Sequence, residues 1–290
     1  MTAHPDALTP AGEGRTALRM ARPLAADPAR VWTALTDPEL LARWFPCRVS
    51  PAPRPGATLG FRFPGASAPG ATGTVTELVE PRLLGFTWGD DELRWEIAPD
   101  GPDGSGSLLT LTHTFGDHYG AASYASGWHH CLAALARLLA GQDTGTAPER
   151  DTGGTLHEEY VRRLGLDGGT VRATAAGGRS LRYERQLVRP AERVWALLAR
   201  HSTPLLGAPP PPGFLAPGTR PGRITELRPP HLLAYEPGPG TEVRWQLLEG
   251  TGHGARLLLT ATLPSDAPAA DTLESWRTRI EQLAGEVRRS

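Results

Sequence analysis

Apolar and polar residues alternate with a period of two through much of the first half of the chain. Over residues 92–97, Leu93, Trp95 and Ile97 fall on one face and Glu92, Arg94 and Glu96 on the other, which predicts a strand with one wet side. Leu84, Phe86 and Trp88 give the strand before it the same apolar face. Residues 57–63 alternate Leu59, Phe61 and Phe63, and residues 107–115 set Leu109, Leu111, His113 and Phe115 opposite threonines. Residues 16–24 read as a first strand, with no element before them. Asp27-Pro28 and Asp37-Pro38 each pair a capping carboxylate with a proline at the first helical position, predicting two short helices over 29–35 and 39–45. From Tyr124 the period becomes helical: Trp128, Cys131, Leu132, Leu135, Leu138 and Leu139 form one apolar stripe that Gly141 ends.

The pattern then recurs. Residues 73–88 and 92–97 carry a glycine, Thr-Glu-Leu, a proline turn, Leu-Leu and Arg-Trp, and residues 222–235 and 242–247 carry the same features in the same order. Such self-similarity predicts two copies of one domain. The first spans 16–166, the linker 167–178 and the second copy 179–290. The second copy replaces a helix and two strands with a proline-rich stretch at 201–219, so it is expected to be shortened and structural. Its closing helix sets Trp276 where the first copy has Trp128.

Composition narrows the chemistry. The chain has 290 residues and a formal net charge of -1, so no global field draws it to nucleic acid or to an anionic membrane. All 30 basic residues are arginine, which excludes a Schiff-base or P-loop lysine. Asparagine is absent too, and with it N-glycosylation. The 2 cysteines, Cys47 and Cys131, have no metal-site spacing, and no apolar run approaches the ~20 residues that span a bilayer. Neither a signal peptide nor a transmembrane segment is evident, and a reduced, cytoplasmic protein is expected.

The order strand, two short helices, antiparallel strands, long helix is the helix-grip arrangement of an α+β fold. The residues resemble the SRPBCC (START-like) superfamily, nearest its branch of homologues of the activator of heat-shock-protein ATPase. The resemblance rests on Val31-Trp32 and Leu35, Thr36-Asp37-Pro38, Trp44-Phe45-Pro46, Gly73-x-Val75-x-Glu77 with Pro81, Thr87-Trp88, Leu111-x-His113-x-Phe115 and Gly127-Trp128. It implies a deep cavity between curved sheet and long helix that takes apolar or amphipathic small molecules. The family's acidic residue and double glycine before the second long strand are replaced by Arg54-Pro55-Gly56-Ala57. The N-terminal domain of heat-shock co-chaperones is not seen, so a chaperone partner is not expected.

On these grounds Trp44, Phe61, Phe63, Phe86, Trp88, Trp95, Phe115, Tyr124 and Trp128 are candidates for the cavity wall, or equally for the core. His113, replaced by Ala261 in the second copy, is the candidate polar group. Glu77, which alternates with Val75 and Val79, is its partner as an anchor. The reading is a non-enzymatic binding protein without cofactor. The alternative resembles the didomain aromatase/cyclases of polyketide pathways, with His113 as acid–base group and Tyr124 and Arg94 as helpers, although Arg94 falls on the wet face. A protein-interaction module is a further alternative. His113, Asp117, His118, His129 and His130 invite a metal reading, but neighbouring helical histidines point about 100° apart, and no metal is expected.

Overall fold

The computed structural model describes residues 5–65, 70–101, 104–142, 153–174, 178–200, 202–252, 254–263 and 268–290. The chain divides into two compact units, Met1–Asp151 and Thr152–Ser290. Each is a mixed α+β unit in which an antiparallel sheet is closed by a C-terminal helix, the helix-grip arrangement.

The first unit contains β1 (Ala7–Pro10), β2 (Thr16–Leu24), α1 (Pro28–Thr36), α2 (Pro38–Leu41), β3 (Arg48–Ser50) and β4 (Thr58–Arg62). After these come β5 (Thr72–Val79), β6 (Leu83–Trp88), β7 (Asp91–Asp100), β8 (Gly106–Phe115) and α3 (Ala121–Leu139). Its eight strands run in the order β1-β2-β8-β7-β6-β5-β4-β3. The helix starts are as the sequence predicts. Asp27 Oδ1 accepts from the backbone N–H of Ala29 and Arg30 at 3.0 Å, and Asp37 Oδ1 from Glu39 and Leu40 at 2.9 and 3.0 Å. The second helix stops at Leu41, and Arg43, Trp44 and Phe45 complete turns back onto Leu40 and Leu41. Residues before Thr16, expected to carry no element, include the edge strand β1 paired with β2.

The core lies between the sheet's inner face and α1 and α3, around Leu18, Met20, Val31, Leu35, Leu111, Leu132 and Leu135, all buried. Above it an aromatic cluster joins Trp44, Phe45, Trp95 and Trp128, with Trp44–Trp95 and Trp95–Trp128 ring centres 5.6 and 5.5 Å apart at nearly right angles. Edge-to-face packing suits the ring quadrupoles, and each buried ring contributes roughly 1.5–3 kcal/mol through removal from water. Trp44 is held by its indole N–H donating to the Ala34 carbonyl at 2.9 Å.

The second unit contains α4 (Thr155–Arg163), β9 (Gly169–Ala173), β10 (Arg179–Gln186), α5 (Ala191–Ala199), β11 (Arg223–Arg228), β12 (Leu232–Glu236), β13 (Val243–Glu249), β14 (Ala255–Leu263) and α6 (Ala269–Arg289). Its sheet order, β11-β12-β13-β14-β10-β9, parallels β5-β6-β7-β8-β2-β1 of the first unit. The boundary corrects the expected one. The stretch 167–178, expected as a linker, holds β9, which pairs with β10. The amphipathic piece before it, α4, belongs to the second unit. There Glu158 of α4 binds Arg185 of β10, and the Tyr183 hydroxyl donates to the Asp167 carbonyl. The proline-rich stretch supplies what the missing elements would. Phe214 is fully buried, and its carbonyl accepts from Trp245 Nε1 at 3.0 Å and from the Tyr235 hydroxyl at 3.2 Å.

Candidate functional site

Most of the space expected for a deep cavity is filled. Trp44, Phe61, Trp95 and Phe115 are at most 1 % exposed and are core. Phe86 is also buried, and the void it lines with Trp44, Phe45, Leu84 and Trp95 is only about 10 Å3, room for about one water. What remains is a pocket of about 290 Å3 at one end of the sheet, between Trp88, Asp91 and His113 on the strands and Ser123, Tyr124, Gly127, Trp128 and Cys131 on α3. Phe63 and Pro46 complete it, and Phe63 and Gly127 are exposed at its mouth.

Local sequence explains how each group reaches this place. Ser123, Tyr124, Gly127, Trp128 and Cys131 share one side of α3 through the helical repeat. Trp88 ends β6 and pairs in register with Asp91, which begins β7. Gly89, at φ +59°, turns the chain between them, and glycine meets that backbone requirement without strain. Trp88 is braced by near-parallel stacking on Phe61 and Phe63, with centres 5.0 and 5.8 Å apart.

His113 is 3 % exposed, and both its ring nitrogens are engaged. Trp128 Nε1 donates to Nδ1 at 3.1 Å, and Nε2 lies 3.0 Å from Asp91 Oδ2. An indole N–H donates and never accepts, so Nδ1 carries no proton. The ring proton therefore sits on Nε2 and is donated to the Asp91 carboxylate. The rings of Tyr124 and Phe115 pack on His113 at 4.6 and 4.9 Å. Burial pushes the Cys47 thiol and the pocket-lining Cys131 thiol up to about 12.

Of the expected wall residues, Phe63, Trp88, His113, Tyr124 and Trp128 meet at this pocket, whereas Trp44, Phe61, Phe86, Trp95 and Phe115 lie in the core. Glu77, expected as an anchor, does not line this pocket. The pairing of β5 with β6 slips by one residue between Val75 and Glu77, so the bulge turns Glu77 and Val79 outward and brings Leu78 inward opposite Leu84. Glu77 is exposed on the outer face, where Arg94 Nε donates to it at 2.9 Å, and Arg94 also pairs with Glu96. Both are thus removed from the pocket. The other histidines are separately placed: His118 meets the Thr16 hydroxyl at 3.1 Å, and His129 and His130 lie on α3. Among the described residues no group of three metal-ligating side chains occurs. Sequence reasoning missed Asp91, although the alternation that set Leu93, Trp95 and Ile97 inward also places Asp91, two residues earlier, on the same face.

The second unit has a recess of about 320 Å3 in the matching position, lined by Val243, Ala261 and Trp276 among others. Ala261 holds the same place in its sheet's register as His113 in the first: Leu18 and Leu93 flank His113, and Leu181 and Val243 flank Ala261.

Among the described residues no helix is long and apolar enough to cross a membrane. No curated protein matches the chain. Among solved structures, the protein encoded by gene BPP1335 of Bordetella parapertussis is 30 % identical, over 51 % of this chain and 86 % of that one, with a TM-score of 0.41. DynU16, described as a putative protein in the dynemicin biosynthetic locus, is 18 % identical over 92 % of this chain and 95 % of its own, with a TM-score of 0.41. The Aha1 dimer of Colwellia psychrerythraea is 20 % identical over 42 % of this chain and 95 % of its own, with a TM-score of 0.37. Residues 25–140 match the family model described as Activator of Hsp90 ATPase homolog 1-like protein. That segment includes α1, α2, the strands β3 to β8 and α3, and the pocket with its lining residues, so the likeness to the Activator of Hsp90 ATPase homolog 1-like family lies within the first unit and takes in the whole pocket.

Proposed function

We propose that the first unit binds an apolar or amphipathic small molecule in the pocket between Trp88 and Trp128, and that it does so as a binding protein rather than as an enzyme. The observation that carries this is the pocket itself. About 290 Å3 is bounded by Phe63, Trp88, Tyr124 and Trp128, with Asp91 and His113 grouped on one side. Its size lies at the lower end of small-molecule sites, and an apolar wall with a few convergent polar groups is their usual make-up. The aromatase/cyclase alternative keeps Tyr124 at the pocket but loses Arg94 and a free acid–base group. Arg94 is on the outer face, and His113 has no ring nitrogen to offer a substrate while it holds Asp91 and Trp128. The second unit is read as a shortened copy with the same strand order, in which alanine replaces the histidine.

Gly127 provides the test. It lines the pocket from a helical position, and a Cβ built there meets nothing within 4 Å. Leucine at this site is expected to project into the pocket without disturbing the fold, and to remove a glycine penalty of about 1 kcal/mol in the helix. Gly127→Leu should therefore abolish binding of an environment-sensitive naphthalene dye, read by tryptophan quenching, with an unchanged or raised Tm. Unaltered dye affinity in that variant would place binding elsewhere.

A further inference from the structure

The polar side of the pocket is chemically one-sided. Among the described residues Asp91 is the only one lining the pocket that carries a full charge, and no arginine is among them. Its Oδ2 accepts the His113 Nε2 proton, and Oδ1 has no hydrogen bond among the described residues. The neutral His113 tautomer imposed by Trp128 leaves the negative charge of Asp91 uncompensated. The carboxylate side chain is 25 % exposed, so its free oxygen is open to a ligand while its surroundings are partly dry. The rings of Trp88, Trp128, Tyr124 and Phe63 line the same pocket, and the faces of aromatic rings carry negative potential.

We propose that this pocket selects organic cations, specifically a substituted ammonium group on a small apolar or aromatic body. The cationic head lies against Asp91 Oδ1 and the aromatic faces, and the body fills the space toward Phe63. This rests on the small-molecule reading of the same pocket and adds the ligand's charge. A neutral ligand covers Asp91 without pairing it, which costs desolvation of a carboxylate. An anionic ligand adds repulsion. A cation both pairs the carboxylate and gains the attraction of the ring faces, so the order of affinity is cation, neutral, anion.

The test uses the full chain and three probes of similar size: phenyltrimethylammonium, its neutral carbon isostere tert-butylbenzene, and benzoate. Binding is read by tryptophan fluorescence and checked by calorimetry. The expected result is a cation affinity at least about tenfold above that of the neutral isostere, with benzoate weakest. Asp91→Asn keeps an acceptor for His113 and should erase the cation's advantage, with the neutral isostere still bound within about twofold. That retained binding also reports that the variant is folded. A neutral isostere that binds as well as the cation, or a cation preference that survives Asp91→Asn, overturns the charge selectivity and leaves the small-molecule pocket standing. If no probe binds at millimolar concentration, both readings fall together.

Discussion

His113 sits within a row of apolar side chains on β8, and what it does there is set by its neighbours. Trp128 fixes the tautomer, Asp91 takes the proton, and Tyr124 and Phe115 pack on the ring. The histidine bridges Trp128 and the Asp91 carboxylate at the pocket edge. Cys131 illustrates the opposite case, a polar atom kept inert. Its thiol is pushed up to about 12, first by burial and then by the nearby Cys47. Only the thiolate is reactive, so at pH 8 its reactive fraction is roughly a thousandfold below that of an ordinary thiol. Iodoacetamide at pH 8 should therefore leave both cysteines of the native protein unmodified on a timescale that fully alkylates the denatured chain. Mass spectrometry that finds Cys131 carbamidomethylated in native protein would mean that the pocket wall opens far more than its packing indicates.

The repeated stretch, Gly73 to Trp95 and again Gly222 to Trp245, owes its likeness to element-scale geometry. A Cβ on Gly73 would lie 1.7 Å from the Thr87 carbonyl oxygen, and one on Gly222 would lie 2.0 Å from that of Glu236. Both units then slip register at the matching place, between Val75 and Glu77 and between Ile224 and Glu226. Both glutamates consequently face outward, and Arg94 and Arg244 pair with them at 2.9 and 2.7 Å. The steric contact should dominate the energetics. Gly73→Ala is expected to cost on the order of 3 kcal/mol, because backbone must move, whereas Glu77→Gln should cost under about 1 kcal/mol, as exposed ion pairs do. Urea unfolding of the two variants compares them, and a larger loss in Glu77→Gln would invert the account. The same bulge marks where sequence was readable and where it was not. Period-two alternation correctly set Leu93, Trp95, Ile97, Leu109, Leu111, His113 and Phe115 inward, because those strands pair without interruption. It misplaced Glu77 because a one-residue bulge reverses every face beyond it and leaves no mark in the alternation itself. Whether an aromatic residue is core or wall was unreadable for a related reason: Trp88 and Trp95 share one inner face, and only their distance from the sheet's end separates them.

At the scale of the whole molecule, the two units bury their arginines in different ways, and this predicts different responses to acid. Arg22 and Arg185 occupy corresponding positions, opposite Leu109 and Leu257. Arg22 is partly exposed and meets Asp6, while Arg185 is 1 % exposed and lies between Glu158 of α4 and Glu281 of α6. Burial alone would raise the Glu158 carboxyl. The hydrogen bond from His157 and the charge and hydrogen bonds of Arg185 overcome this and hold it at about 2, against an ordinary value near 4.5. A carboxyl whose folded value is depressed adds stability that is complete above its unfolded value and disappears as pH falls through the folded one. Here that window runs from about pH 4.5 down to about 2. Glu158→Gln leaves a buried guanidinium with one carboxylate instead of two, which should cost the second unit about 3 kcal/mol at pH 7. That difference from the wild type should shrink steadily from about pH 4.5 to pH 2, because protonation removes in the wild type what the substitution has already removed. Chemical unfolding followed at several pH values resolves this, with loss of naphthalene-dye binding marking which transition belongs to the first unit. A wild-type minus Glu158→Gln gap that stays constant across the window would show that Glu158 does not stabilise the unit through its charge. A gap that closes while the dye-binding transition is unaffected would locate the acid sensitivity of the molecule in the second unit, at the contact that ties α4 to its sheet.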